Sequence, residues 1–251
     1  MSEQSTTADA LVALEALRGL RLTDLSYPLH PEMPIFPGQN VLPFERRQST
    51  FLAQHGVNSG RIGMGEHQGT HLDAPIHFID GAMTMEAIPT EHLVVEAVVI
   101  DVTVAAEGDA DYRLTVADLD AWVAANGPFP SGAFALMNSG WGSRWVDPTA
   151  YVNPGAEGRP HHPACTPEAA TWLVEHGAIG LGVDTLSVDN TAPSDIRSPA
   201  HKVLHGAGRY VLENLANLDR LPARGILLVI GALPIVDGTA GPARVLAFNA
   251  D

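Results

Sequence analysis

Three histidines and one aspartate lie close together in the segment EHQGTHLDAPIHF, residues 66–78: His67, His71, Asp73 and His77. Imidazole nitrogens and carboxylate oxygens bind divalent metals, and histidine also transfers protons near neutral pH. The four side chains are therefore candidate metal ligands or acid–base groups. Because the chain has 11 histidines, some clustering is expected by chance. We favour a bound cation, since these groups would be stranded polar groups if they were buried without one.

The spacing of this segment favours an extended conformation. Positions 71, 73, 75 and 77 share one side of an extended chain, with successive positions about 6 to 7 Å apart. Pro75 lacks a backbone donor and Gly69 weakens a helix, so both disfavour the helical alternative. Gly69 also gives the chain the freedom to turn His67 toward the same point. We therefore predict that one face of an extended stretch converges on a single ion.

A second group of polar residues lies far along the chain, in PAHKVLHGAGRYVLENLANLD. It contains His201, His205 and Glu213, set among apolar residues. Glu213 lies in a run of leucines, so it is a candidate for a carboxylate that a hydrophobic segment carries inward. A position on a surface helix explains Glu213 equally well at this point.

Aromatic residues supply candidate walls for a substrate pocket. Trp141 in NSGWGSRW and Phe36 in a proline-rich loop are predicted to contact substrate, although aromatic side chains are more often part of the core. His161 and His162, adjacent in a proline-rich loop, could contact substrate or have no role in the site, and the sequence does not decide between these alternatives. Cys165 precedes a helix start and has no base nearby in sequence, so we expect a buried residue and not a nucleophile.

Composition restricts the class of protein. The chain has 251 residues, of which 45% are hydrophobic and 17% charged, a balance typical of a folded domain. The formal charge of −15 disfavours nucleic acid and anionic membranes as partners. A single cysteine excludes an intrachain disulfide and fits a reducing compartment. Because we find no export signal and no long apolar run, we expect a cytoplasmic protein without a membrane span.

The elements that position these residues alternate between strands and helices. Residues 94–104, 179–188 and 226–236 are rich in β-branched side chains and predict buried strands. Thr115 and Thr166 are predicted to cap two helices that end near Gly127 and Gly177. Leucines at helical spacing predict an N-terminal helix or arm over residues 1–20. The remaining residues, 21–251, are expected to form one α/β domain.

The segment 66–78 resembles the H-x-G-T-H-x-D-x-P-x-H-F signature of the metal-dependent cyclase family, which includes bacterial kynurenine formamidases and isatin hydrolases. The segments LTDLSYPLHPEMPIFPG, GWGSRW, IGLGVDTLSVD and GPARVLAF are similar to that family in order and spacing. The resemblance therefore covers nearly all of the chain from residue 22 onward.

This resemblance implies a swivelling β/α/β-type single domain with a mixed sheet core, assembled as a homodimer or homotetramer. It implies that the metal is held by His67, His71 and Asp73. The residue matching His77 is the general acid/base of the family. In the formamidases a histidine and a glutamate 12 apart complete a two-zinc site, and His201 with Glu213 reproduces this spacing. Isatin hydrolases have glutamine at the position of Glu213.

These features predict a metal-dependent hydrolase that cleaves a C–N bond of a small molecule, in an amide, formamide, cyclic imide or lactam. A ligand set without thiolate suits zinc, manganese, iron or cobalt. We expect Zn²⁺ or Mn²⁺, with one ion at the first site and room for a second. The cation would activate water, and His77 would move its proton.

Other functions stay open on sequence alone. The same site could serve a polyketide-type cyclase, a lactone hydrolase or a metal-binding protein without catalysis. A non-haem iron oxygenase could use His71, Asp73 and His201 as two histidines and one carboxylate, but it would leave His67 unexplained. The chain has no G-x-S-x-G elbow, P-loop or H-E-x-x-H motif, which disfavours serine hydrolases and nucleotide enzymes.

Overall fold

A computed structural model describes residues 12–38, 42–156, 158–190 and 198–250. Within the predicted N-terminal arm, residues 12–18 form helix α1, and Leu11 of the leucine stripe lies outside the described residues. The division into an arm over residues 1–20 and a domain over residues 21–251 stays a prediction.

Within the described ranges the helices after α1 are α2 (Leu52–His55), α3 (Thr103–Glu107), α4 (Val116–Asn126), α5 (Pro148–Val152), α6 (Pro167–Glu175) and α7 (Pro199–Gly206). The strands are β1 (Arg21–Asp24), β2 (Glu45–Thr50), β3 (Ser59–Gly63), β4 (His71–Asp73), β5 (Val94–Asp101), β6 (Arg113–Leu114), β7 (Phe134–Asn138), β8 (Ala164–Cys165), β9 (Gly180–Val183), β10 (Tyr210–Glu213), β11 (Ile226–Ala232) and β12 (Ala240–Asn249). Short 3₁₀ turns occupy Pro75–His77, Met85–Ala87, Thr90–Leu93, Trp141–Arg144 and Leu218–Arg220.

Eight strands form one mixed sheet in the order β1-β12-β11-β5-β7-β9-β10-β4. Strand β4 also pairs with β12, so the sheet closes into a barrel-like ring. Strands β5, β7, β9 and β10 run parallel to one another. The other pairings in this sheet are antiparallel. This mixed sheet with helices confirms the predicted α/β fold.

The sequence-predicted elements correspond to β5, β9, β11, α4 and α6. Thr115 begins α4 with a capping box that includes Asp118, and the Thr166 side chain caps α6. Each of the three strands ends before its predicted C-terminal boundary. Among the described residues, no helix has the length and apolar composition needed to cross a membrane.

Alternate residues of the central strands enter two different cores, because side chains alternate across a strand. Val98 and Ile100 of β5 join residues of α4, α6 and α7 in an outer core. Ala97 and Val99 face the opposite side and join the core enclosed by the closed sheet. The metal-site residues lie on the outer side, where the sheet meets α7.

Candidate metal centre

Strand β4 carries two of the predicted ligands on one face. It lies between β10 and β12, with His71 opposite Glu213 and Asp73 opposite Val211 on β10. Because successive side chains alternate, His71 and Asp73 face the same side while Leu72 enters the enclosed core. The His71 and Asp73 side chains are both buried. The register of three strands therefore fixes where these two groups point.

The extended stretch is shorter than predicted. Residues Pro75–His77 form a 3₁₀ turn, so the prediction that positions 71 to 77 lie on one face of an extended chain is wrong beyond Asp73. Pro75 begins the turn, where a missing backbone N–H is tolerated and the fixed φ suits the geometry. The turn still brings His77 to the cluster, with its ring centroid 3.9 Å from that of His67.

Gly69 turns the chain between His67 and strand β4. Its φ is +64°, and a Cβ at this position would lie 2.5 Å from Cδ2 of Leu29. Any other residue would therefore be strained and crowded here. The turn places Nδ1 of His67 2.8 Å from Oδ1 of Asp73.

His67 and His71 each have one ring nitrogen occupied by a protein partner. Nδ1 of His71 lies 2.8 Å from the carbonyl oxygen of Gly69, which can only accept, so in the neutral ring Nε2 carries the lone pair. Nε2 of His67 lies 2.9 Å from the Thr239 hydroxyl. That hydroxyl donates to Glu66 at 2.6 Å, so it accepts from His67 and leaves Nδ1 free to bind. Such partners orient metal-binding histidines.

Helix α7 and strand β10 bring the second polar group to the same place. Nε2 of His201 lies 3.2 Å from Oε1 of Glu213 and 3.5 Å from Oδ2 of Asp73. Oε2 of Glu213 lies 3.5 Å from Nε2 of His71. Of the two explanations that the sequence left for Glu213, the structure supports the inward-facing carboxylate, because the side chain is buried in a strand.

Two overlapping sets of ligand atoms could hold a divalent metal, and Asp73 belongs to both. One set is His67, His71 and Asp73, and the other is Asp73, His201 and Glu213; within each set the ligand atoms all lie within 4.8 Å of one another. Nε2 of His71, Nε2 of His201 and both oxygens of Asp73 are buried and have no hydrogen-bond partner among the described residues. Such unpaired groups are costly, and a cation would satisfy them. The residues therefore fit a metal.

The carboxylates dominate the electrostatics of this cluster. Burial acts to lower the pKa of His71, but the negative charges of Asp73 and Glu213 close to its ring raise that pKa to about 10. Burial acts to raise the pKa of Asp73, but the charges of His67 and His71 hold it well below its ordinary value. In the cation-free protein, protonated imidazole thus balances the carboxylate charge that a metal would balance.

Two further histidines face the cluster without belonging to either ligand set. His77 lies beside His67, and burial lowers the pKa of the His77 imidazole to about 3, so the ring is neutral at neutral pH. His205 is 1% exposed, and in the part of the chain that the structure describes neither of its ring nitrogens has a hydrogen-bond partner. Its ring centroid is 6.2 Å from that of His77. The sequence indicated this position of His205, because a residue one helical turn after His201 lies on the same face of the helix.

The predicted pocket residues lie in different surroundings. Trp141 is buried in an aromatic cluster, where its indole N–H donates to the carbonyl oxygen of Tyr151 at 2.8 Å. It also borders a cavity of about 290 Å³ together with Ser139 and Arg144, and none of the ligand residues lines this cavity. Phe36 is 38% exposed on the loop after β1. Substrate contact by Trp141 and Phe36 stays a prediction.

His161, His162 and Cys165 belong to neither of the two ligand sets. His161 lies 2.7 Å from a carboxylate oxygen of Asp111. His162 and Cys165 are buried, and burial raises the pKa of the Cys165 thiol far above its ordinary value. A thiol in that state is a poor nucleophile, as the sequence analysis expected.

Three residues support the ligand histidines although the sequence gave them no role. Thr239 and Asp189 contact His67 and His201 directly, and Glu66 accepts from the Thr239 hydroxyl. Glu66 adjoins the motif, and this position was the only signal for it. Thr239 and Asp189 are distant in sequence from the histidines that they contact, by 172 and 12 residues. Only the folded chain brings them together.

Comparisons with known proteins agree with this architecture. Residues 23–190 match the family described as "Putative cyclase". An isatin hydrolase of Roseibium aggregatum is 35% identical over 191 residues, which cover 74% of this chain and 72% of the relative. A kynurenine formamidase of Erythrobacter litoralis is 30% identical over 229 residues, which cover 90% of this chain and 93% of the relative.

A solved structure extends the likeness to the fold. Isatin hydrolase A from Labrenzia aggregata, bound to benzyl benzoate, aligns with a TM-score of 0.90 and 34% sequence identity, over 98% of this chain and 100% of the other. The predicted resemblance and fold are confirmed. The relatives are hydrolases of C–N bonds, which is the predicted class of enzyme.

Proposed function

This chain belongs to the cyclase family, and on that premise we propose that it hydrolyses an amide-type C–N bond of a small molecule with the help of a divalent metal. The substrate classes that we propose are aryl formamides and cyclic imides or lactams, in line with the activities for which the relatives are named. One observation carries the proposal: the ligand atoms of His67, His71 and Asp73 lie within 4.8 Å of one another, with the His77 ring beside them.

The chemistry follows from the groups that face the cluster. A divalent cation, when bound, lowers the pKa of water and polarises a carbonyl group. We propose that the neutral ring of His77, which lies beside His67, would take a proton from the attacking water. In the overall reaction the water oxygen bonds to the carbonyl carbon, the C–N bond breaks, and the nitrogen gains a proton. His77 would return its proton to the departing nitrogen, and the products are a carboxylic acid and an amine.

We propose zinc or manganese as the metal, because histidine and carboxylate ligands without thiolate suit both ions. His67, His71 and Asp73 would hold the first ion. The approach of His201 and Glu213 to the second oxygen of Asp73 supports a second position. Metal content of the purified protein, measured by mass spectrometry after dialysis, distinguishes these ions and counts them.

The test of the function combines chelation with a substrate panel. The purified protein is assayed on N-formylkynurenine, isatin, other cyclic imides and lactones, before and after removal of metal. We expect turnover of an amide-type substrate that disappears on chelation and returns with zinc or manganese. Turnover of lactones alone would favour the lactone hydrolase alternative. Activity that survives complete removal of metal would contradict the proposal.

An oxygen measurement separates the hydrolase from the iron oxygenase. The oxygenase needs only His71, Asp73 and His201, and it gives no role to His67, whose Nδ1 lies 2.8 Å from Asp73. The hydrolase should run at the same rate without oxygen. Stoichiometric oxygen consumption during turnover would overturn our assignment.

We further propose that the enzyme is cytoplasmic and forms a homodimer or homotetramer. The lone buried thiol of Cys165 supports a reducing compartment. Support for assembly comes from β3 and from the connection between β2 and β3, where large apolar side chains are exposed: Phe51, Leu52, Val57 and Ile62. Light scattering coupled to size exclusion measures the oligomeric state, and a monomer at micromolar concentration would contradict it.

A further inference from the structure

The carboxylate of Asp189 contacts both the backbone and the side chain of His201, one of the two residues that would hold a second cation together with Asp73. Its Oδ2 lies 2.7 Å from Nδ1 of His201 and accepts from the backbone N–H of the same residue at 3.0 Å. Its Oδ1 accepts from the backbone N–H of Ala200 at 3.0 Å. The carboxylate is 6% exposed. One buried side chain thus holds both the ring of His201 and the helix that carries it.

This contact decides which nitrogen of His201 faces the site. A carboxylate accepts but does not donate, so Nδ1 of His201 carries a proton and Nε2 is left as the lone pair in the neutral ring. Nε2 faces Asp73 and Glu213 at 3.5 and 3.2 Å, and no described residue makes a hydrogen bond with it. Carboxylates behind metal-binding histidines have this arrangement.

The same short segment also holds the other second-position ligand. The backbone N–H of Val188 donates to Oε1 of Glu213 at 3.0 Å, next to Asp189 in the chain. The helix that carries His201 depends on the segment too, since Ser198 gives α7 no side-chain cap. Asp189 supplies acceptors for two of the N–H groups that a helix start leaves unpaired.

We infer that Asp189 is a positioning residue that fixes the orientation of His201 and thereby makes a second divalent-cation position with Asp73 and Glu213. The inference builds on the proposed metal site, but it concerns the second cation and not the reaction. Asp189 does not touch the cation or substrate; it acts through His201. Its loss should affect the second cation while the first, held by β4 and His67, remains.

The sharpest variant is Asp189→Asn, which keeps the size of the side chain. The carboxylate accepts from Ala200 and from His201 at once, whereas the amide has a single acceptor oxygen. If that oxygen accepts from Ala200, the NH₂ faces Nδ1 of His201 and favours the ring form with its proton on Nε2, which cannot bind a cation through Nε2. If it accepts from His201, the uncharged oxygen holds the Nδ1 proton less strongly and α7 loses the acceptor for Ala200. Asp147→Asn is the matched control, because Asp147 caps α5 through the N–H groups of Thr149 and Ala150.

The experiment titrates metal-free protein with zinc and counts ions per chain. We expect two ions in the wild type and in Asp147→Asn. In Asp189→Asn the second should bind about 10- to 100-fold more weakly, with the first unchanged. Second-ion affinity within twofold of wild type in Asp189→Asn, or a single ion in the wild type, would overturn the inference.

NMR of the wild-type protein tests the same inference even if Asp189→Asn does not fold. Nitrogen NMR shifts of the zinc-loaded wild type should show His201 protonated on Nδ1 and bound through Nε2. A His201 ring protonated on Nε2 would also overturn the inference. Hydrolysis of N-formylkynurenine and isatin by protein with one zinc per chain is measured separately, so failure of the proposed function is distinguishable from failure here.

Discussion

The two cation positions share Asp73 but are built in different ways. The first takes its ligands from residues 67–73, and its histidines are oriented by a backbone carbonyl and a hydroxyl group. The second needs α7 and β10, which approach β4 only in the folded chain, and its histidine is oriented by a carboxylate. The difference teaches that a locally encoded position is visible in residue spacing, whereas an assembled one depends on contacts between elements.

The largest expected effect comes from comparing His71→Ala with His201→Ala. Nε2 of His71 lies 3.3 Å from Asp73 and 3.5 Å from Glu213, so its loss disturbs both positions. We expect His71→Ala to lose its bound zinc and all turnover, and His201→Ala to keep the first ion. Zinc per chain after dialysis measures this, with circular dichroism as the control for folding. Equal losses in the two variants would show that the positions are not separate.

The next effect concerns His77, which belongs to neither position. His77→Ala removes the proposed proton acceptor without removing a ligand, so zinc content should stay unchanged while kcat falls about 10²- to 10⁴-fold. His176→Ala is the control, since His176 is an exposed residue stacked on Trp172. Unchanged kcat in His77→Ala would show that His77 does not transfer the proton.

A smaller effect is expected from changing Thr239, which orients His67 in the first set of ligands as Asp189 orients His201 in the second. Thr239→Val removes the acceptor for Nε2 of His67, so the first zinc should bind about 10- to 100-fold more weakly. The second ion should be less affected, the reverse of the pattern expected for Asp189→Asn. Competition with a zinc-binding dye measures both affinities, and Thr171→Val on the exposed side of α6 is the control. If Thr239→Val weakened the binding of the second ion alone, Thr239 would not support the first position as we propose.

The smallest expected effect is the dependence of zinc affinity on pH. Because the pKa of His71 is raised to about 10, the cation-free ring is protonated at pH 7 and metal must displace that proton. Zinc affinity should therefore rise with pH up to that value, by about tenfold per unit for each proton released. Calorimetry in two buffers with different ionisation enthalpies counts the protons. Zinc binding without proton release at pH 7 would contradict the raised pKa.

Much of the fold followed from the sequence because local signals agreed. The capping residues Thr115 and Thr166 begin helices as predicted, and the β-branched runs form central strands. The prediction was wrong for Pro75–His77, where a proline can begin a turn as readily as it can stiffen an extended chain. Residue types within a few positions do not decide between these two outcomes.

For the candidate site as well, the sequence predicted the residues that are close together in the chain and missed those that only the fold brings together. The cluster from His67 to His77 was visible because its members are close in sequence, and the structure brings them together. Nothing in the spacing pointed to Thr239 or Asp189, since hydroxyl and carboxylate side chains are common and their partners are set by strand pairing and by the placement of α7. The burial of Trp141 was equally hidden, because an aromatic residue near glycines fits a pocket wall and a core alike.

Strand β4 is bonded along both of its edges, by β10 on one side and by the first residues of β12 on the other. These ladders hold His71 and Asp73 in place through the backbone alone. The site is therefore formed before any ion arrives, and little ordering of the chain has to accompany loading. An emptied enzyme should keep its shape and recover on simple mixing with the ion, with no need to be denatured and refolded.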